Sequence, residues 1–90
     1  MKPKKIIITG GATRIGAAIA ESLANYGTEI SIHYNKSKKH ALKLKSRLEN
    51  LGSEVHLLKA DLNNLKQTQN LLKIANKKMR GVDCLINNAS

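Results

Sequence analysis

KKIIITGGATRIG, residues 4–16, joins a β-branched run to two glycines and then to the start of an apolar stripe. KKIIIT, residues 4–9, is too short for a stable helix and reads as a fully buried strand. The chain must turn tightly behind it. Gly10 lacks a Cβ and can adopt positive φ at that point. Ile15, Ala18, Ile19, Leu23 and Tyr26 then recur at helical spacing, and Gly27 supplies a helix stop. A short strand broken by glycine and followed at once by an amphipathic helix is the opening of a βαβ unit.

Outward from this unit the same alternation continues. TEISIHY, residues 28–34, reads as a second strand. Asn35 to Ser37 is turn chemistry, with Ser37 as the N-cap of a helix whose apolar positions are Ala41, Leu44, Leu48 and Leu51. Gly52 closes it, and SEVHLLKA, residues 53–60, reads as a third strand. Leu65, Thr68, Leu72, Ala75 and Met79 mark a third helix, which Gly81 ends. VDCLIN, residues 82–87, reads as a fourth, buried strand.

The order is βαβαβαβ, the pattern of an α/β protein with a parallel sheet and crossover helices. Right-handed crossovers and short connections favour a partial doubly wound, Rossmann-like sheet with strand order 3-2-1-4. Helices one and two should cover one face and helix three the other. Residues 1–90 form one domain, with no internal repeat, linker or low-complexity tail.

The totals narrow the classes. Sixteen Lys and Arg against six Asp and Glu give a net charge of +10. Such a charge attracts polyanions in general, but most of these lysines read as a solvated surface. They are spread over several helices, and aromatic stacking residues are nearly absent, which argues against a specific nucleic-acid binder. The single cysteine, Cys84, sits in an apolar run and reads as core, consistent with a reducing cytosol. His33, His40 and His56 show no ligand spacing with the cysteine or with each other, so no metal site is expected. No apolar run approaches the roughly 20 residues that span a bilayer. The expectation is a cytoplasmic protein with no membrane partner.

The glycine loop carries the chemistry. Gly16 falls in the first helical turn, where the missing side chain lets backbone or ligand approach closely. The helix start presents unpaired N–H groups and partial positive charge, both suited to phosphate. No G-K-[ST] closes the loop, so it is not a Walker loop, and it is not a GxGxxG. A plain strand-to-helix turn is the competing reading. The position of the glycines, after a buried strand and before an amphipathic helix, favours phosphate.

TGGATRIG (residues 9–16), ADL (60–62) and NNAS (87–90) together resemble the short-chain dehydrogenase/reductase family, with its TGxxxGxG loop, D-[LV] after strand three and NNAG after strand four. The resemblance covers nearly the whole chain. Arg14 replaces the middle glycine and Ser90 the last residue of NNAG. With HYNKS at residues 33–37, these departures are similar to the pteridine reductases, which reduce folate- and biopterin-type rings with NADPH.

An NAD-specific site places an acid at the end of strand two. Here no Asp or Glu lies between Glu29 and Glu49. Asn35, Lys36 and Ser37 occupy that turn, with Arg14 in the neighbouring loop, so a 2′-phosphate would meet two cations and a hydroxyl. Lys36, Lys38 and Lys39 crowd the start of helix two and oppose its dipole unless an anion binds there. The expected cofactor is therefore NADP(H).

The resemblance implies further roles. Gly10, Arg14, Ile15 and Gly16 belong to the cofactor loop. Asp61 and Leu62 would sit at the adenine, Asp61 having the alternative role of a helix cap. Asn87 would tie neighbouring strands, and Asn88, Ala89 and Ser90 would line the ribose and pyrophosphate. The family's catalytic tyrosine and the lysine four residues on lie well beyond the NNAG position. The family's catalytic Tyr-x-x-x-Lys is read as absent from residues 1–90: neither Tyr26 nor Tyr34 is taken as that tyrosine, and no catalytic residue is assigned.

The resulting expectation is the cofactor-binding half of a reductase, truncated before its catalytic half. Its fourth strand would present an open edge to a complementary chain. A non-catalytic dinucleotide-binding module, or the remnant of a split gene, is the alternative.

Overall fold

The computed structural model describes residues 4–25 and 27–88. Seven elements alternate: β1 (Lys4–Thr9), α1 (Arg14–Leu23), β2 (Thr28–Tyr34), α2 (Lys38–Asn50), β3 (Glu54–Lys59), α3 (Leu65–Met79) and β4 (Cys84–Asn87). The strands form one parallel sheet in the order β3-β2-β1-β4. This is the Rossmann-like α/β topology that the alternation of strand and helix patterns implies.

Alternation along β1 divides the core in two. Ile6 and Ile8 point to one face, where they pack with Ala20 of α1, Ile30 and Ile32 of β2, and Leu44 and Leu48 of α2. Ile7 points to the other, against Leu58, Ala60, Leu71, Ala75 and Met79. Each fully buried isoleucine contributes about 1.5–3 kcal/mol of burial free energy. Aliphatic side chains fill both layers, as the scarcity of aromatics requires. An Arg47–Glu21 ion pair at 3.1 Å joins α2 to α1 at the surface.

Three readings of the apolar stripes need correction. In α1 the buried positions are Gly16 and Ala20, whereas Ile15 is 69% exposed and Ala18 is also exposed. Close packing of Gly16 on the glycine loop sets the helix rotation and turns Ile15 outward. In α3 the buried stripe is Leu71, Ala75 and Met79, spaced four apart, while Leu65 is 71% exposed and Leu72 is exposed too. In α2, Leu51 is the exposed C-cap rather than a core position. Tyr26 lies outside the described residues.

Strand four also differs from its reading. It runs over four residues, and Cys84 is exposed, not core. Leu85 is 51% exposed. Among the described residues β4 is an edge strand of the sheet, paired only with β1. It is anchored chiefly through β1, where Asp83 Oδ2 accepts from the Lys5 N–H at 2.8 Å and the Asp83 N–H donates to the Lys5 carbonyl at 2.8 Å. No helix among the described residues is long and apolar enough to cross a membrane.

Candidate functional site

The C-terminal ends of β1, β2 and β3, with the loop that follows β4, surround a cleft of about 920 Å³. It is lined by the glycine loop, the start of α1, the Tyr34–Ser37 segment, the Asp61–Asn63 segment and Asn88. Open parallel sheets bind ligands at this end, where the strand order reverses across the first strand.

Gly10 adopts φ +62°, in the left-handed region that its lack of a Cβ permits. A Cβ on Gly16 would stand 2.4 Å from the Gly10 carbonyl oxygen and 2.7 Å from the Gly11 Cα. Gly16 is thus required by backbone-to-backbone packing, as expected of the first helical turn. Thr13 caps α1. Its hydroxyl donates to the Gly10 carbonyl at 2.7 Å and accepts from the Gly16 N–H at 3.4 Å. Arg14 follows as the first helical residue and is exposed in the cleft, beside the outward-facing Ile15.

His33, which the sequence reading left without a role, is buried and braces the loop. The Gly10 N–H donates to its Nδ1 at 2.9 Å, and its Nε2 donates to the Ala60 carbonyl at 2.8 Å. A carbonyl can only accept, and an N–H can only donate, so the ring is neutral with its proton on Nε2. The same side chain thereby joins the glycine loop to the end of β3, where the Asp61 segment begins.

On the other side of the loop stand the two asparagines. Asn87 Oδ1 accepts from the Thr9 hydroxyl at 3.1 Å, tying β4 to β1 as expected. The Asn88 amide donates to the Gly10 carbonyl at 3.1 Å and to the Thr13 hydroxyl at 3.3 Å, and its backbone N–H donates to Thr9 Oγ1 at 3.1 Å. Asn88 therefore fixes the loop as well as lining the cleft. Ala89 and Ser90 lie outside the described residues.

Asn35, Lys36 and Ser37 are exposed along the cleft wall. Ser37 occupies the N-cap position of α2, but its side chain makes no capping bond, because its backbone at φ −89°, ψ 52° departs from cap geometry. No acid stands in the first turn of that helix.

Asp61 and Leu62 also line the cleft. Asp61 is not the cap of α3. That place belongs to Asn64, whose side chain accepts from the Gln67 N–H at 3.1 Å. Asp61 Oδ1 instead accepts from the Asn63 N–H at 2.9 Å in a local turn.

Tyr34 has a lysine four residues on, Lys38, so spacing alone does not exclude it as a catalytic tyrosine. The structure separates the two. Tyr34 is the buried last residue of β2 and Lys38 the exposed first residue of α2, across a turn. Tyr34 also precedes NNAS in the chain, whereas the resembling family has its catalytic pair beyond that position.

Sheet order, cleft position and loop geometry define a Rossmann-type nucleotide-binding fold. The family model for short chain dehydrogenases matches residues 4–90, and the chain belongs to that family.

Among curated relatives, the short-chain dehydrogenase/reductase GME11373 of Pestalotiopsis microspora is 34% identical over 86 residues, covering 96% of this chain and 32% of its own length. The short-chain dehydrogenase/reductase homolog YusS of Bacillus subtilis is 29% identical over 87 residues, 97% of this chain and 80% of its own. The chain thus spans about a third of the first relative and most of the second.

A crystal structure of a short-chain dehydrogenase from Oenococcus oeni superposes with a TM-score of 0.89 at 36% identity, over 96% of this chain and 40% of that one. An NADH-dependent reductase complexed with NAD superposes at 0.89 with 31% identity, over 99% of this chain and 37% of that one. A Burkholderia cenocepacia dehydrogenase with bound NADP does so at 0.89 with 29% identity, over 96% of this chain and 34% of that one.

Proposed function

We propose that residues 1–90 form the NADP(H)-binding half-domain of a reductase of the pteridine-reductase kind. The observation that carries the cofactor choice is the cleft wall at the end of β2. It offers Asn35, Lys36 and Ser37, with Arg14 on the same cleft, and no carboxylate at the end of β2. A 2′-hydroxyl calls for an acceptor there, and a 2′-phosphate calls for cations and hydroxyls. Ser37, with no capping bond to hold it, has a hydroxyl suited to donate to a phosphate oxygen.

The solved relatives include both an NAD and an NADP complex, so the proposed preference rests on this wall. The pyrophosphate belongs at the amino end of α1, whose first N–H groups and dipole favour anions. The adenine belongs beside Asp61 and Leu62, and the ribose and pyrophosphate beside Asn88, Ala89 and Ser90. When bound, the cofactor supplies hydride. This chain's residues bind and orient its adenosine portion. Hydride transfer to a pterin-, folate- or carbonyl-type substrate is the work of a complete enzyme.

The open outer side of β4, with Cys84 and Leu85 exposed, is where a complementary segment or chain would pair. The length of YusS supports a second reading, a short dinucleotide-binding module without turnover, because 87 aligned residues make up most of that protein. NADP+ and NAD+ titrated under one buffer test the cofactor assignment. Tighter NADP+ binding is expected, and tighter NAD+ binding overturns it. Melting curves with NADP+ and NADPH oxidation assays on the same sample separate module from enzyme.

A further inference from the structure

At the opposite end of the sheet, Glu29 and Glu54 stand directly across from each other on β2 and β3. Like charges in that register destabilise a sheet unless something cationic sits between them. The chain has sixteen Lys and Arg, yet among the described residues none pairs with either carboxylate. What meets them is His56, whose Nε2 lies 2.7 Å from Glu29 Oε2. One donor atom from each of Glu29, Glu54 and His56 falls within a 4.8 Å span.

A separate observation concerns Ser31. It is fully buried, and its hydroxyl has no hydrogen-bond partner among the described residues. Strand alternation puts Ser31 on the same face as the cluster, across from His56 and two residues from Glu29. A buried hydroxyl without a partner is unfavourable, so a polar group brought to this face would stabilise it.

We propose that Glu29, Glu54 and His56 form a binding site for a single divalent transition-metal ion of the zinc class. Two carboxylates and one imidazole match the three-ligand set that zinc accepts, with water in the fourth place. An all-oxygen site would suit magnesium or calcium, but an imidazole nitrogen does not. A tetrahedral ion with bonds of about 2.0–2.2 Å holds its donors roughly 3.4 Å apart. The present contact between His56 and Glu29 therefore opens slightly to admit it. The imidazole binds through Nε2, and the proton there moves to Nδ1 or to solvent. A water on the ion would lie on the same face of the sheet as the Ser31 hydroxyl, which stands across from His56.

Sequence spacing hides this site, because the ligands come from two strands and only one is a histidine. It lies at the amino ends of β2 and β3, away from the cleft at their carboxyl ends. The ion would staple the two strands together without touching nucleotide, so the proposal does not depend on the cofactor reading.

Isothermal titration of the full chain with ZnCl2 in chelator-free buffer tests it, alongside melting curves and the visible spectrum of the Co2+ form. One equivalent should bind saturably, raise the melting temperature and give tetrahedral Co2+ bands without a thiolate charge-transfer band. Glu54→Gln, at an exposed position that folding tolerates, and His56→Asn should each weaken binding by about tenfold or more. His40→Asn and Cys84→Ser should bind as the parent does. Absence of saturable binding, unchanged affinity in Glu54→Gln and His56→Asn, or loss in His40→Asn or Cys84→Ser would each overturn the proposal.

Discussion

Gly16 leaves no room for a side chain. An added methyl would collide with the Gly10 carbonyl at 2.4 Å, and this obstacle is backbone that cannot swing aside. Gly16→Ala should therefore destabilise the protein by about 1–3 kcal/mol and weaken nucleotide binding, read by thermal melting and by titration. Arg14 makes the contrasting case. It is exposed, so Arg14→Ala should leave the melting temperature unchanged. It should cost about tenfold in affinity for a 2′-phosphorylated nucleotide, near the ~1.5 kcal/mol of one charged hydrogen bond, and little for its unphosphorylated counterpart. His33→Leu should loosen the glycine loop, because the Gly10 N–H and the Ala60 carbonyl would both lose their partner. ¹⁵N spectra of the parent imidazole should show a neutral ring protonated on Nε2. At this scale the glycines and Arg14 are legible in sequence, because local backbone demands select them. His33 is not, since its partner Gly10 lies 23 residues away and nothing in a strand's alternation marks a histidine as a brace.

Apolar periods locate helices and strands more sharply than they orient them. Each helix appears where an apolar period and a closing glycine require one, yet two stripes rotate away from their reading. In α3, residues Leu65 and Leu72 fit a helical period as well as Leu71 does, and only docking on Ile7, Leu58 and Ala60 selects the Leu71, Ala75 and Met79 stripe. Met79→Ala should accordingly cost about 2–5 kcal/mol, whereas Leu65→Ala should cost far less, measured by denaturant unfolding. The cap of the same helix is ambiguous in sequence for a related reason. Asp61 and Asn64 both suit an N-cap, but the chain enters α3 with Asn64 accepting from Gln67 and Asp61 closing the preceding turn. Asn64→Ala should lose about 1 kcal/mol.

For the whole molecule, strand order follows from alternation and crossover handedness, and both are legible in the sequence. Burial at the margin is not, because it depends on what covers the outer side of β4. An apolar run such as VDCLIN predicts a strand but cannot say whether a neighbour covers it. With Leu85 half exposed on the outermost strand, concentrated samples should self-associate. Leu85→Lys should reduce light scattering while leaving the melting temperature nearly unchanged. The cofactor preference also belongs to this scale, since the amino end of α1, the β2–α2 turn and the segment after β3 meet only in the folded sheet. Calorimetric titration of the folded chain with 2′-phospho-AMP and with AMP, in one buffer of moderate ionic strength, tests that assembly most directly. At least tenfold tighter binding of 2′-phospho-AMP is predicted; equal affinity, or tighter binding of AMP, would contradict it.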